Sequence, residues 1–170
     1  PMGGFNLMPD PDLMKNMPGV YAGMGVTAET LVAKYNIGRE RQDAFAVASH
    51  QKAGVALADG RMKSQIVPLT VDQFGGKDPI IFDVDEGPRP DSTIEGLGAL
   101  KPSFKQGGSV TPGNSSQVSD GAAAVMLMSE DALKKTGLKP MARFANYAVA
   151  GCPPEIMGIG PAVAIPRLFA

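Results

Sequence analysis

Apolar residues recur at helical spacing most clearly in the stretch 39–58. Charged and polar residues come first there, and Ala44, Phe45, Val47 and Ala48, then Val55 and Ala56, form an apolar stripe behind them. The pattern predicts a helix over 39–58, closed by Asp59-Gly60, where Gly60 is able to take the left-handed conformation past the last turn. A shorter helix is predicted just before it. Thr27 is its expected N-cap, because a threonine hydroxyl accepts from a free backbone N–H, and Asn36-Ile37-Gly38 stops it. Residues 1–26 are punctuated by Pro1, Gly3, Gly4, Pro9, Pro11, Pro18, Gly19, Gly23 and Gly25 and read as loop, with a short helix near Leu13-Met14-Lys15-Asn16. Ile66-Val67-Pro68-Leu69 reads as a short strand that Pro68 confines to a sheet edge, and residues 79–84 read as another. Residues 92–100 suggest a helical turn or two, and 101–117 suggest loop.

Beyond this point the pattern changes. Residues 120–128 form a run of small and apolar residues, Asp120-Gly121-Ala122-Ala123-Ala124-Val125-Met126-Leu127-Met128. Such a run is either a strand buried on both faces or a buried helix, and its shortness favours the strand. Ser129 is placed to cap a helix that continues through Lys135 and ends at Thr136-Gly137. Residues 142–150 read as a second buried strand. A final helix is expected from Ala162, with Pro166 inside its first turn if it starts near Ile165, where a missing N–H costs little. The last fifty or so residues thus alternate strand, helix, strand, helix, the mark of an α/β sheet.

Composition narrows the function more than the fold. The chain has 170 residues, enough for one domain or parts of two, with 44% apolar and 19% charged residues and a net charge of −1. No basic stripe exists to neutralise phosphates, so nucleic acid is excluded as a partner, and no apolar run approaches the length of a membrane span. The 21 Gly and 15 Pro follow no repeat and lie among apolar residues, which fits a loop-rich folded region. A single Cys forms no internal disulfide, and one Cys with one His makes no structural zinc site. Both ends are abrupt, and the expectation is a central fragment of a longer protein.

Five stretches carry a resemblance. They are Met24-Gly25-Val26-Thr27-Ala28-Glu29; Gln42-Asp43-Ala44-Phe45-Ala46 with Ser49-His50-Gln51-Lys52-Ala53; Asp85-Glu86-Gly87-Pro88-Arg89-Pro90 followed by Thr93 and Leu100-Lys101-Pro102-Ser103-Phe104; Val110-Thr111-Pro112-Gly113-Asn114-Ser115-Ser116 leading to Ser119-Asp120-Gly121-Ala122-Ala123-Ala124; and Gly151-Cys152-Pro153-Pro154-Glu155-Ile156-Met157-Gly158-Ile159-Gly160-Pro161. In this order they resemble the middle of a thiolase, the enzyme that makes or breaks 3-ketoacyl-CoA. The resemblance implies an α/β class, part of the layered αβαβα thiolase fold. It divides the chain into the inserted loop domain at 1–118, the end of the N-terminal core domain at 119–138 and the start of the C-terminal core domain at 139–170.

It also implies a site. Ser116 corresponds to a serine beside the pantetheine and thioester. Arg89 corresponds to a position near the coenzyme A nucleotide, where a guanidinium suits phosphate or adenine. Met24 and Phe104 correspond to residues lining the acyl or pantetheine pocket, and Gly113 permits close backbone approach. Coenzyme A and acyl-CoA are the implied partners, as substrates, with no separate cofactor and no metal. A homo-oligomer, dimer or tetramer, is implied for the full-length protein, in the cytoplasm of a bacterium or in mitochondria or peroxisomes of a eukaryote. Gly23, where some biosynthetic thiolases carry His, leans toward the degradative branch, as do Arg89-Pro90 and Gly151-Cys152. Gly38 stands where the family usually has Ser. The family's nucleophilic cysteine, its histidine and its second cysteine belong to segments this sequence does not contain, so no catalytic residue is assigned and the chain alone is expected to be inactive.

Plainer readings stand beside these. Cys152 precedes Pro153-Pro154 rather than a helix start that lowers a thiol pKa, which favours a packed residue over a nucleophile. His50 reads as a solvated or capping residue. Asp83, Asp85 and Glu86 read as a solvated strand end, and the ten Met as gap-fillers and pocket wall. Gly113–Ser116 is a tight turn or a coenzyme-contact loop, and Arg89 a surface cation or a coenzyme contact.

Overall fold

Asp10 shows how the described chain begins: its carboxylate accepts from the backbone N–H groups of Asp12 and Leu13 at 2.9 and 3.0 Å and so caps α1 (Pro11–Asn16). The computed structural model describes residues 8–170, so the Pro1, Gly3 and Gly4 portion of the expected loop lies outside the described residues. A 3₁₀ turn, Pro18–Tyr21, follows, and the Tyr21 hydroxyl accepts from the Asp10 N–H at 2.9 Å.

Helix α2 (Met24–Tyr35) starts one turn earlier than expected. Gly23, not Thr27, is its N-cap. Gly23 is extended at φ −65° and ψ 153°, and its carbonyl accepts from Val26 and Thr27. Thr27 sits inside the first turn, buried, with its hydroxyl donating to the Met24 carbonyl at 2.8 Å. Asn36 ends the helix in the left-handed region at φ 50°, a conformation asparagine tolerates better than most residues. Helix α3 (Arg39–Ala58) has the expected bounds, but its packed face coincides with the apolar stripe only in part, at Val47. Phe45 is 79% exposed and Val55 55%. The buried residues are Asp43 and Val47, and His50 and Gly54 continue the same face at helical spacing, half-buried.

Two strands form, β1 (Leu69–Val71) and β2 (Ile80–Phe82), paired antiparallel with Leu69 opposite Phe82 and Val71 opposite Ile80. The first lies later than predicted. Pro68 has no N–H to donate, and pairing begins only after it. All six strand residues are exposed. Helix α4 (Ile94–Gly98) is capped by Thr93, whose hydroxyl accepts from the Gly96 N–H at 3.0 Å.

The two expected buried strands are not strands here. Residues 120–128 and 142–150 have no ladder, and Val125, Met126, Leu127, Phe144 and Val149 are exposed. A strand exists through its neighbours, and among the described residues the one sheet is the β1–β2 ribbon, paired with itself. The layered α/β arrangement is therefore not assembled within these residues. Between the two stretches, α5 (Glu130–Thr136) forms as expected. The Ser129 hydroxyl accepts from Ala132 at 3.2 Å, and Gly137 takes φ 67° at the other end. The final helix, α6 (Gly160–Phe169), starts earlier than predicted. Pro161 occupies its first turn, where proline fits, which leaves Pro166 in the interior without an N–H to give the preceding turn.

Packing is concentrated in two places. Helix α2 rests on the 3₁₀ turn Pro154–Ile159, where Ile156 is buried and Gly158 admits the Leu31 side chain. Helix α3 rests on α4, with Val47 and Leu97 buried and Val110 buried in the loop that follows. Thr27, Glu29, Asp43 and Thr111 are buried as well, so this core carries as many polar as apolar residues among those described.

Candidate functional site

The buried polar residues converge on the loop 109–114. The Glu29 carboxylate, on α2, receives two backbone N–H groups on one oxygen, Ser109 at 2.8 Å and Val110 at 2.7 Å. Gly108 lies against it so closely that a Cβ there would fall 2.3 Å from Glu29 Oε1. From α3, Gln42 donates to the Ser109 hydroxyl at 2.9 Å. The Asn114 amide is the hub. Its Oδ1 accepts from Thr111 N–H at 2.8 Å, and its Nδ2 donates to Asp43 Oδ1 at 2.9 Å and to the Ser109 carbonyl at 3.0 Å.

The second Asp43 oxygen is held by Arg39 Nε at 2.6 Å, one helical turn away. Arg39 then donates to the carbonyls of Leu97 and, at 3.2 Å, Leu100, capping the end of α4 with a cation, as the helix dipole favours. The chain from Asn114 through Asp43 and Arg39 to α4 satisfies each charged group by a charge-assisted bond, the condition under which burial is tolerable.

The five residues assigned by resemblance sit around this network rather than in it. Gly113 is closest. Its N–H donates to the Thr111 hydroxyl at 3.2 Å, and a Cβ on it would lie 2.6 Å from Leu100 Cδ1. The close approach that a glycine permits is thus to the side chains of Leu97 and Leu100. Ser116 is exposed and donates to the Gln117 carbonyl at 3.2 Å. Ser115, beside it, has a buried hydroxyl with no hydrogen-bond partner among the described residues.

Arg89 is exposed. Its backbone N–H donates to His50 Nδ1 at 3.1 Å, so His50 serves as a cap-like acceptor for a loop. The Arg89 and Ser116 segments meet through Gln117, whose amide nitrogen lies 2.9 Å from where a Gly87 Cβ would be. Met24 and Phe104 form a second group. The Phe104 ring lies over Gly25, with its nearest carbon 2.1 Å from the position of a Gly25 Cβ, so the ring rests on the helix backbone beside the exposed Met24.

Other features add no chemistry. Asp85 accepts from the Gly87 N–H at 3.0 Å and shapes a turn. Cys152 is half-buried and directs its thiol to the Met157 carbonyl at 3.8 Å. Two open clefts, one between residues 16–19 and 153–155, the other between the end of α3 and Asp83-Val84, contain none of the five assigned residues. Among the described residues no helix is long and apolar enough to cross a membrane, and no cluster of three or more His, Cys, Asp or Glu is arranged for a metal.

Sequence reasoning missed Glu29, Asp43, Arg39 and Asn114 as the residues that set the loop. The signal was present, since three of them lie in the stretches quoted for the resemblance and Arg39 lies one helical turn before Asp43. Charged residues on helices are ordinarily solvated, and nothing local distinguishes these.

Residues 10–131 match the family model described as thiolase, N-terminal domain. The chain is 49% identical to a 3-ketoacyl-CoA thiolase of Bacillus subtilis over 98% of its own length and 44% of that protein's. It is 54% identical to an acetyl-CoA acetyltransferase of Pseudomonas aeruginosa over 85% of its length and 36% of the other's. The crystal structure of the dimeric peroxisomal thiolase of Saccharomyces cerevisiae superposes on 95% of the chain and 41% of that protein with a TM-score of 0.84 at 39% identity. The chain spans less than half the length of the curated relatives it matches.

Proposed function

The chain belongs to the thiolase family, and on that premise we propose that it forms the coenzyme-facing middle of a 3-ketoacyl-CoA thiolase, an acyltransferase of fatty-acid breakdown. In the reaction of such an enzyme a cysteine thiolate attacks the 3-keto carbon, the bond to the neighbouring carbon breaks, acetyl-CoA leaves, and the acyl group on the cysteine passes to the thiol of a second coenzyme A. The residues of this chain hold rather than react. Residues 1–118 form the loop domain, 119–138 close the first core domain and 139–170 open the second. Arg89 faces the coenzyme nucleotide, Ser116 the pantetheine near the thioester, and Met24 and Phe104 form apolar wall. Gly113 keeps the loop close to α4.

One observation supports this reading above others. Buried charges on α2 and α3 are committed to fixing the loop 109–114, while Ser116, Arg89, Met24 and Phe104 are left exposed around it. A rigid frame carrying accessible groups is what a preorganised ligand site requires. Titration calorimetry of the 170-residue chain with coenzyme A tests it. Binding is expected, and the Arg89→Ala, Ser116→Ala double variant should bind at least tenfold more weakly, about 1.4 kcal/mol, in line with loss of a hydrogen bond to a charged group. Heat-silent mixing with the unaltered chain would sink the reading. The same chain should show no cleavage of acetoacetyl-CoA in the presence of coenzyme A, and turnover near that of a whole thiolase would refute the assignment of the chemistry to other segments.

The acetoacetyl-CoA-forming branch is the near alternative, and both names occur among the relatives. Gly23 and Arg89-Pro90 support the degradative branch. A second role, assembly, draws support from the exposed apolar stretches 120–128 and 142–150. We assign the parent a homo-oligomeric state, the yeast structure being of a dimeric thiolase. Its compartment follows its host: bacterial cytoplasm, or peroxisome or mitochondrion.

A further inference from the structure

The chain has a single histidine, and it lies on the packed face of α3 in line with Asp43, Val47 and Gly54. Two successive turns of this face hold one loop. Gly54 admits Pro90 so closely that a Cβ on Gly54 would lie 2.5 Å from the Pro90 Cβ. One turn earlier, His50 Nδ1 accepts the Arg89 N–H at 3.1 Å. The Arg89 carbonyl is engaged too, accepting from Ser92 N–H at 3.0 Å and from the Ser92 hydroxyl at 2.7 Å. Both backbone groups of Arg89 are thus fixed, while its side chain is exposed and makes no salt bridge among the described residues.

We propose that His50 is a positioning residue for coenzyme recognition: its imidazole anchors the Arg89 backbone and so presents the guanidinium to the phosphate-bearing nucleotide of the coenzyme. This rests on the reading of Arg89 given above and adds the residue through which that arginine acts. The accepting nitrogen carries no proton, so the neutral ring holds its hydrogen on Nε2. The chemistry favours such a tether. An arginine side chain turns about four bonds, and a guanidinium grips phosphate well only if its starting point is already set. A histidine on a twenty-residue helix supplies that fixed point, whereas the loop 83–92 has no helix or strand of its own.

The test uses the 170-residue chain with His50→Phe, His50→Gln, Arg89→Ala and the His50→Phe, Arg89→Ala pair. Coenzyme A and pantetheine, which lacks the nucleotide, are the titrants, and hydrogen exchange at the Arg89 amide is followed by NMR. In the unaltered chain the Arg89 amide is slow to exchange. His50→Phe releases it and weakens coenzyme A about tenfold, as Arg89→Ala does, with pantetheine affinity unchanged and the pair no weaker than Arg89→Ala alone. His50→Gln, whose side-chain carbonyl also accepts, recovers amide protection and most of the affinity. An Arg89 amide unprotected in the unaltered chain overturns the proposal. So does a His50→Phe variant that binds coenzyme A normally while Arg89→Ala does not, or one that loses pantetheine equally, which would make the histidine a general structural support. A chain that protects the amide through His50 but binds no coenzyme A overturns both the site reading and the recognition role, and leaves the tether as loop architecture.

Discussion

Replacing Asp43 by alanine is expected to lower the stability of the chain by about 2–4 kcal/mol, less than the full cost of breaking a buried charge pair from one side because Arg39, the charge left behind, is 24% exposed. Asp43 is 2% exposed and holds two partners on separate oxygens, Arg39 at 2.6 Å and the Asn114 amide at 2.9 Å. Without it Arg39 keeps only the carbonyls of Leu97 and Leu100 against its full charge. The Asn114 amide loses one of its bonds to protein and with it the link between α3 and the loop. Asp43→Asn should cost less, because one carbonyl oxygen still accepts from Asn114. Urea unfolding followed by far-ultraviolet circular dichroism measures both variants. A loss below about 1 kcal/mol for the alanine would match an exposed ion pair and contradict the burial of this one.

Glu29→Ala is the second large effect, and its cause is different. Glu29 accepts two backbone N–H groups, and the carboxylate and one of the donors are buried: Glu29 is 5% exposed and Val110 6%, while Ser109 is half-buried. Each orphaned buried donor costs about 1–3 kcal/mol, so a total of about 2–6 kcal/mol is expected, nearer the low end because Ser109 is only half-buried. Glu29→Gln separates geometry from charge. Both bonds end on a single oxygen, which the amide carbonyl supplies, and the variant should retain more than half of the lost stability. Equal losses for Ala and Gln would mean that the negative charge, not the hydrogen-bond geometry, holds the loop. The Ser109 and Val110 amides should also exchange faster in the alanine variant, whereas those in the middle of α5 should not change.

The pattern of the sequence was most reliable where structure is decided within a few residues. The bounds of α3 and α5, the cap at Ser129 and the left-handed glycines at 60 and 137 all rest on local hydrogen bonds and backbone preference. It was least reliable where a partner lies far along the chain. Residues 120–128 have the composition of a buried strand, yet a ladder is a property of two segments, and among the described residues no second segment pairs with them. The apolar stripe of α3 found Val47 but missed the centre of the packed face for a related reason. That helix packs through Asp43, whose partner Asn114 is 71 residues away, and the loop it helps to hold is tied to Glu29 across 80 and 81 residues. The resemblance placed the chain in its family from ordered short stretches. The groups it singled out are, apart from Gly113, exposed ones around the loop, and it left unmarked the buried ones that shape it.

The β1–β2 ribbon has a consequence for how this region tolerates change in length. Between the end of α3 and Val84, among the described residues, side-chain hydrogen bonds stay within the segment, as those of Gln73 to the Asp78 carbonyl and of Arg61 to Asp59 do, and none joins the network around Asn114. Gly75 and Gly76, at φ 85° and 72°, already turn the chain back between the two strands. The entropy of closing a flexible loop rises only with the logarithm of its length, about 0.6 kcal/mol for each doubling. Insertions and deletions at the ribbon tip are therefore expected to leave the frame set by Glu29 and Asp43 intact, so this is where the region can change in size without losing the loop 109–114.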